Sequence, residues 1–411
     1  MDVARRLRTA VAALVTLSVL SGCVSPENPR QATPTTHTST APEVTDLVRA
    51  TMTEQHLKAA LVRVTIDGKE VLTEAFGDSM TGVPATTDMH FRNGAVAISY
   101  VATLLLRLVD EGTVSLQDTL STWLPDIPHS DRVTLGQLAQ MTSGYADYVL
   151  GNDEFNAALD RDPFRQWEPD ELLGYAVSRP LLYEPGTNWN YSHTNYVLLG
   201  MALERATGQP MPQLLDEQVL GPLGLKDTAN SFTAQIPAPV LHAFTSERRA
   251  ALHVPPDVPF YEESTFWNPS WTITHGAVQT TTISDLAAGA AGVGSGRLLS
   301  PESYAAMAST DLRGRTHPQP GCPTCAAMST GYTYGLGLVI SGEWLLQNPQ
   351  FFGYAAVGAY LPSRRIAIAV AVTFDRDAFD DEGDYPNAAD TLFRRIAAEL
   401  APEQAPPQRP G

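Results

Sequence analysis

Apolar and polar positions fall into blocks that predict a short set of elements. Leu61–Ile66 is an apolar run, Asp67-Gly68 supplies a turn and Glu70–Phe76 follows, which predicts a β-hairpin. Ala95–Val109 is rich in Ala and Leu and stops at Glu111-Gly112, the pattern of a helix with a glycine end. A second helix is predicted over Tyr196–Thr207, before Gly208. Ile366–Thr373 is apolar and β-branched, a buried strand, and Ala388–Leu400 reads as a closing helix. Strands at both ends with helices between them predict an α/β body over residues 44–400. Its sheet would be assembled from distant segments, with an inserted helical region.

The ends of the chain have a different character. Arg5, Arg6 and Arg8 precede an apolar run from Ala10 to Leu20. That run is shorter than the ~20 residues a membrane span needs and has the layout of a secretory signal over residues 1–22. It closes on Leu20-Ser21-Gly22-Cys23, which resembles a bacterial lipobox and implies that Cys23 is lipidated. Residues 23–43 are rich in Pro and Thr and nearly devoid of apolar residues, an extended tether by composition. Residues 401–411 are similar and are expected to form a disordered tail. The expected location is outside the cytoplasm, on the outer face of the cell membrane and held there only by lipid.

Charge narrows the partners. With 27 Lys and Arg against 45 Asp and Glu, the 411-residue chain carries −18. Nucleic acid is excluded, because a phosphate backbone requires a positive footprint. Only Lys58, Lys69 and Lys226 are lysines, so any mechanism that needs one has three candidates.

Several segments, in order, carry a family resemblance. They are Phe91-Arg92-Asn93-Gly94-Ala95-Val96, Glu111-Gly112-Thr113, Thr142-Ser143-Gly144, Tyr191-Ser192-His193-Thr194-Asn195-Tyr196, Gly221-Pro222-Leu223-Gly224-Leu225, Tyr334-Gly335-Leu336-Gly337 and Tyr360-Leu361-Pro362. Together they resemble the serine β-lactamase and penicillin-recognising D,D-peptidase family, in its class C, esterase and carboxypeptidase branch. The resemblance implies a β-lactamase/transpeptidase-like fold, an antiparallel sheet flanked by helices. It also implies three motifs, and each departs from the pattern here.

In the family's Ser-x-x-Lys motif the hydroxyl attacks and the lysine one turn away assists it. This chain has Ala95 and Ile98 at those positions, and no Ser-x-x-Lys occurs elsewhere. Ser99 lies one position past Ile98 and is expected to face another way. In the Tyr-x-Asn motif Tyr191 is kept and His193 replaces the asparagine. The two could form a new acid–base pair, but no Asp or Glu stands next to them in the chain to orient the imidazole. Counting back from Tyr360-Leu361-Pro362 places the third motif, Lys/His-Thr-Gly, at Gln347-Asn348-Pro349. On that register both the cation and the glycine are gone. Pro349 would offer no N–H to a ligand lying along the strand.

Other chemistry is thinner. No Gly-x-Ser-x-Gly elbow and no His-Glu-x-x-His pair occurs. Cys322-Pro323-Thr324-Cys325 in an exported protein is expected to be a local disulfide rather than a metal or redox site. The acidic run Asp375, Asp377, Asp380, Asp381, Glu382 and Asp384 follows no EF-hand pattern and reads as a solvated loop. Trp267 and Trp271 could line a groove or pack in the core. No metal and no cofactor is called for. The expectation is a pseudoenzyme that binds a cell-envelope ligand or a protein partner. A hydrolase with unrecognised catalytic residues and a scaffold with a vestigial cleft are the alternatives.

Overall fold

The computed structural model describes residues 41–408. The segment expected to be a signal, Cys23 and the expected tether up to residue 40 lie outside the described residues, as do 409–411.

Helix α1 (Ala41–Glu54) opens the body, so the first helix begins inside the segment expected to be tether. The hairpin follows as β1 (Leu57–Ile66) and β2 (Lys69–Met80), with β3 (Val83–Pro84) beyond it. Both long strands exceed the apolar runs that announced them. Pairing on both sides of β1 from Ala59 to Ile66, with a register shift at Leu57/Ala59 on one side and at Val64/Thr65 on the other, carries the strand past its apolar positions. The inserted region then holds α2 (Val96–Asp110), α3 (Leu135–Gln140), α4 (His193–Thr207) and α5 (Ile283–Gly294). The chain returns to the sheet through β4 (Thr333–Tyr334), β5 (Val339–Ser341), β6 (Trp344–Gln347) and β7 (Gln350–Phe351). It ends in β8 (Tyr354–Leu361), β9 (Ile366–Phe374) and α6 (Ala388–Leu400).

The nine strands form one sheet in the order β3-β2-β1-β9-β8-β6-β5-β4, with β7 also paired to β8. Each pairing in it is antiparallel. Strands β8 and β9 are buried along their whole length because both sheet faces are covered. Leu345 and Gln347 pair with Tyr360 and Gly358 and share their face, where Leu286 of α5 lies against Gly358. Trp344 alternates to the opposite face and meets Phe393 of α6 edge-on, ring centres 5.3 Å apart. The fold is the expected mixed α/β arrangement, with the helical insertion on the Gln347 side.

The C-terminal stretch departs from the disordered tail expected of its composition. Pro402–Gln404 form a 3-10 turn, Trp344 Nε1 donates to the Gln404 carbonyl at 2.8 Å, and Arg394 Nη1 donates to the Pro407 carbonyl at 2.9 Å. A segment with little apolar surface is ordered here by side chains of the body that take its carbonyls. Cys322 and Cys325 are joined, S–S 2.07 Å. The acidic run closes on itself, with Asp380 accepting from the N–H groups of Glu382, Gly383 and Asp384. Among the described residues no cluster of three or more His, Cys, Asp or Glu is placed to hold a metal ion. Nor is any helix there long and apolar enough to cross a membrane.

Candidate functional site

Three distant segments meet at a cavity of about 270 Å³ between the head of α2, the loop before α4 and the end of β6. Its wall includes Ala95, Tyr191, His193, Gln347, Asn348 and Pro349, so the positions picked out in the sequence come together. Ile98 does not line it. That side chain is 1 % exposed and packed in the helical core. Ser99 also points elsewhere and donates to the Val96 carbonyl at 2.7 Å.

Ala95 is the N-cap of α2, with no side-chain cap bond. A residue there presents its side chain at the start of a helix, where the positive end of the helix dipole favours a developing anion. A methyl group makes no use of that field. Gly94, just before it, has φ +51°, and a Cβ there would lie 2.6 Å from the Phe351 ring and 2.8 Å from Pro349 Cβ. The helix head and strand edge thus touch through Pro349 and Phe351.

The loop after α3 determines the rest of the site. Thr194 Oγ1 and Ser192 Oγ both donate to the Ala146 carbonyl, at 2.7 and 3.2 Å, and Asn190 Nδ2 donates to the Tyr145 carbonyl at 3.2 Å. This stitching brings Asp147 against His193. The Asp147 carboxylate, 1 % exposed, accepts backbone N–H groups of His193 (3.0 Å), Val149 (3.3 Å) and Leu150 (3.1 Å). It also faces His193 Nδ1 at 3.0 and 3.1 Å. An acid that orients the imidazole therefore exists, contrary to the expectation from chain neighbours. It comes from 46 residues away, three positions after Thr142-Ser143-Gly144. That turn was visible in the sequence, but its closeness to His193 was not.

Asp147 also explains why α4 starts at His193 rather than Tyr196. Its carboxylate takes the first helical N–H and sits at the positive end of the helix. Tyr148, Tyr191 and Trp271 surround the imidazole, with ring centres 5.7, 5.2 and 5.7 Å away. Tyr191 is pushed above its ordinary pKa by burial, then by the Asp147 charge and Tyr332. That is the wrong direction for a base, so at neutral pH the hydroxyl keeps its proton.

Gln347-Asn348-Pro349, the segment reached by counting back, lies at the end of β6 on the cavity wall, and the direction of Pro349 differs from the expectation. Gln347 pairs with Gly358 and Gln350 with Ala355, so the register is continuous across Pro349. The Pro349 carbonyl accepts from Ala356 N at 3.0 Å. In an antiparallel strand a residue's N–H and C=O point to the same side. The amide that proline lacks would therefore have faced β8, not a ligand, and the free edge belongs to Asn348 and Gln350. Gln347 spends its Nε2 on the Gly337 carbonyl (2.8 Å), and Asn348 Nδ2 bonds Asp390 at 3.0 Å. Trp271 lines the cavity, while Trp267 packs on Phe352 at 5.0 Å.

Comparison with known proteins agrees with this frame. Protein Rv1367c of Mycobacterium tuberculosis is 28 % identical over 69 % of this chain and 74 % of its own length. Esterase EstB of Burkholderia gladioli is 33 % identical over 42 % of this chain and 47 % of its own. The D-amino acid amidase of Ochrobactrum anthropi SV3, solved with D-phenylalanine, superposes with a TM-score of 0.71. It is 22 % identical, covers 87 % of this chain and 99 % of its own, and speaks for the fold alone. A family profile described as Beta-lactamase spans residues 44–393, and the sheet, the insertion and the cleft between them match that assignment: the chain belongs to the Beta-lactamase family.

Proposed function

We propose that this chain is a non-acylating member of its serine-hydrolase family, exported and anchored through lipid on Cys23, that binds a cell-envelope ligand or partner in its cleft. The observation that carries the reading is the pair Ala95 and Ile98. The position facing the cavity from the helix head holds a methyl group, and the position one turn on is buried hydrocarbon. Neither side chain can attack a carbonyl or move a proton. Tyr191, held neutral, does not replace them. Incubation with a chromogenic cephalosporin tests the reading, and no turnover is expected. Turnover that disappears in Tyr191→Phe would overturn it.

A second reading is favoured by Asp147 and His193. An imidazole fixed by a buried carboxylate is the arrangement of a general base. On that reading the protein is a hydrolase that activates water directly. Ester turnover lost in His193→Gln would support it.

A further inference from the structure

We infer that His193, held by Asp147, is the polar anchor of the cavity, and that it selects a small uncharged aromatic molecule bearing a hydroxyl group. This rests on the non-acylating reading above. The Asp147 carboxylate can only accept, so Nδ1 of His193 carries a proton and is committed to it. Nε2, at the other edge of the ring, has no protein partner among the described residues, and the ring belongs to the cavity wall. Two other polar atoms of wall residues, Trp271 Nε1 and Tyr334 Oη, are buried without a hydrogen bond. The Tyr334 hydroxyl stands near Gln347 yet closes no bond of ordinary geometry with it. Nε2, on a ring that is 12 % exposed, is the polar atom of the His193–Asp147 pair left for a polar group of a ligand, while the Trp271 and Tyr334 atoms are sealed within the wall.

Charge and shape narrow the class. The wall carries no Lys, Arg, Asp or Glu, so a carboxylate or ammonium would enter without an unengaged counter-charge. When His193 is protonated, its charge is already matched by Asp147. A hydroxyl both donates and accepts, so it pairs with Nε2 in either protonation state. The wall amides Gln347, Asn348 and Gln350 already donate to Gly337, Asp390 and Tyr385, and the rings of Tyr191, Trp271, Tyr332 and Phe351 in the same wall suit a flat ring system.

The test is calorimetry on the full chain with 2-naphthol, naphthalene and 2-naphthoate. The inference expects 2-naphthol to bind about tenfold more tightly than naphthalene, the factor of one net hydrogen bond. It expects 2-naphthoate to gain nothing over naphthalene. In His193→Phe the naphthol advantage should vanish while naphthalene still binds, which a purely structural role for His193 would not produce. Equal affinities in the unmutated protein, an advantage that survives His193→Phe, or no binding of either compound would overturn the inference, and the first needs no variant to fold. The underlying reading fails separately, through covalent labelling by a penicillin, whatever the naphthol result.

Discussion

Asp147 and His193, 46 residues apart in the chain, form a buried carboxylate–imidazole pair with Nδ1 3.0 Å from Oδ2. The same carboxylate takes three backbone N–H groups. It therefore fixes the ring, caps α4 and holds the 145–150 loop in one arrangement.

Asp147→Asn is expected to be the most damaging single change in the site. An amide has one accepting oxygen and presents an NH₂ to donors, so at least one backbone N–H group loses its acceptor and the imidazole loses its charge-assisted partner, keeping a bond only by changing tautomer. The loss should be about 3 kcal/mol. His193→Gln leaves the three backbone bonds in place and should cost about 1 kcal/mol. Urea unfolding of the two variants checks the order, and equal midpoints would contradict it.

Restoring the hydroxyl alone should not restore acylation. Ala95→Ser places an Oγ at the helix head, but Ile98 is off the wall and no lysine reaches the cavity. Labelling by a fluorescent penicillin is expected to remain at background. Labelling that appears in Ala95→Ser and disappears when His193→Gln is added would show that the dyad can serve as a base.

Gly94→Ala tests how closely strand and helix approach. Its positive φ and the contacts to Phe351 and Pro349 together predict a loss of roughly 1–3 kcal/mol. A thermal melt within error of the unmutated protein would mean that the strand edge yields easily.

Glu247 gives the body a pH signature. Burial lifts its pKa from 4.5 to about 7, opposed by hydrogen bonds from Thr245, Tyr385 and the Phe352 amide. The folded state thus holds this proton more tightly than the unfolded chain. The stabilisation is fully present below about pH 4.5 and lost as pH rises through about 7, a span of roughly 3 kcal/mol. In Glu247→Gln the stability profile between those limits should flatten relative to the unmutated protein, read from unfolding midpoints across the range.

Much of this was legible in the sequence where one local pattern sufficed. The closing helix Ala388–Leu400 matches its predicted bounds, and α2 is displaced by a single residue, because apolar density and a glycine stop are local signals. The motif positions Ala95, Tyr191 and Gln347 were found by register against a family and do meet at one cavity. What escaped were effects that depend on distant partners. The start of α4 depends on Asp147, and the tail depends on Trp344 and Arg394. The direction of the missing Pro349 amide depends on which neighbour its carbonyl faces. Composition and spacing do not encode these relationships.

Cys23 lies outside the described residues, and its chemistry needs its own measurement. Mass spectrometry of protein extracted from membranes should find a diacylated or triacylated Cys23 as the first residue. An intact, unmodified Cys23 on protein in the soluble exported fraction would remove the anchor from the account.

The absence of a nucleophile at Ala95 is tested most directly by intact mass. The purified full chain is held for hours with excess penicillin, alongside an acylating penicillin-binding protein as a positive control. The account predicts an unchanged mass for this chain while the control gains one drug equivalent. A stoichiometric gain on this chain, mapped to any residue of the 94–99 or 191–193 segments, would contradict it.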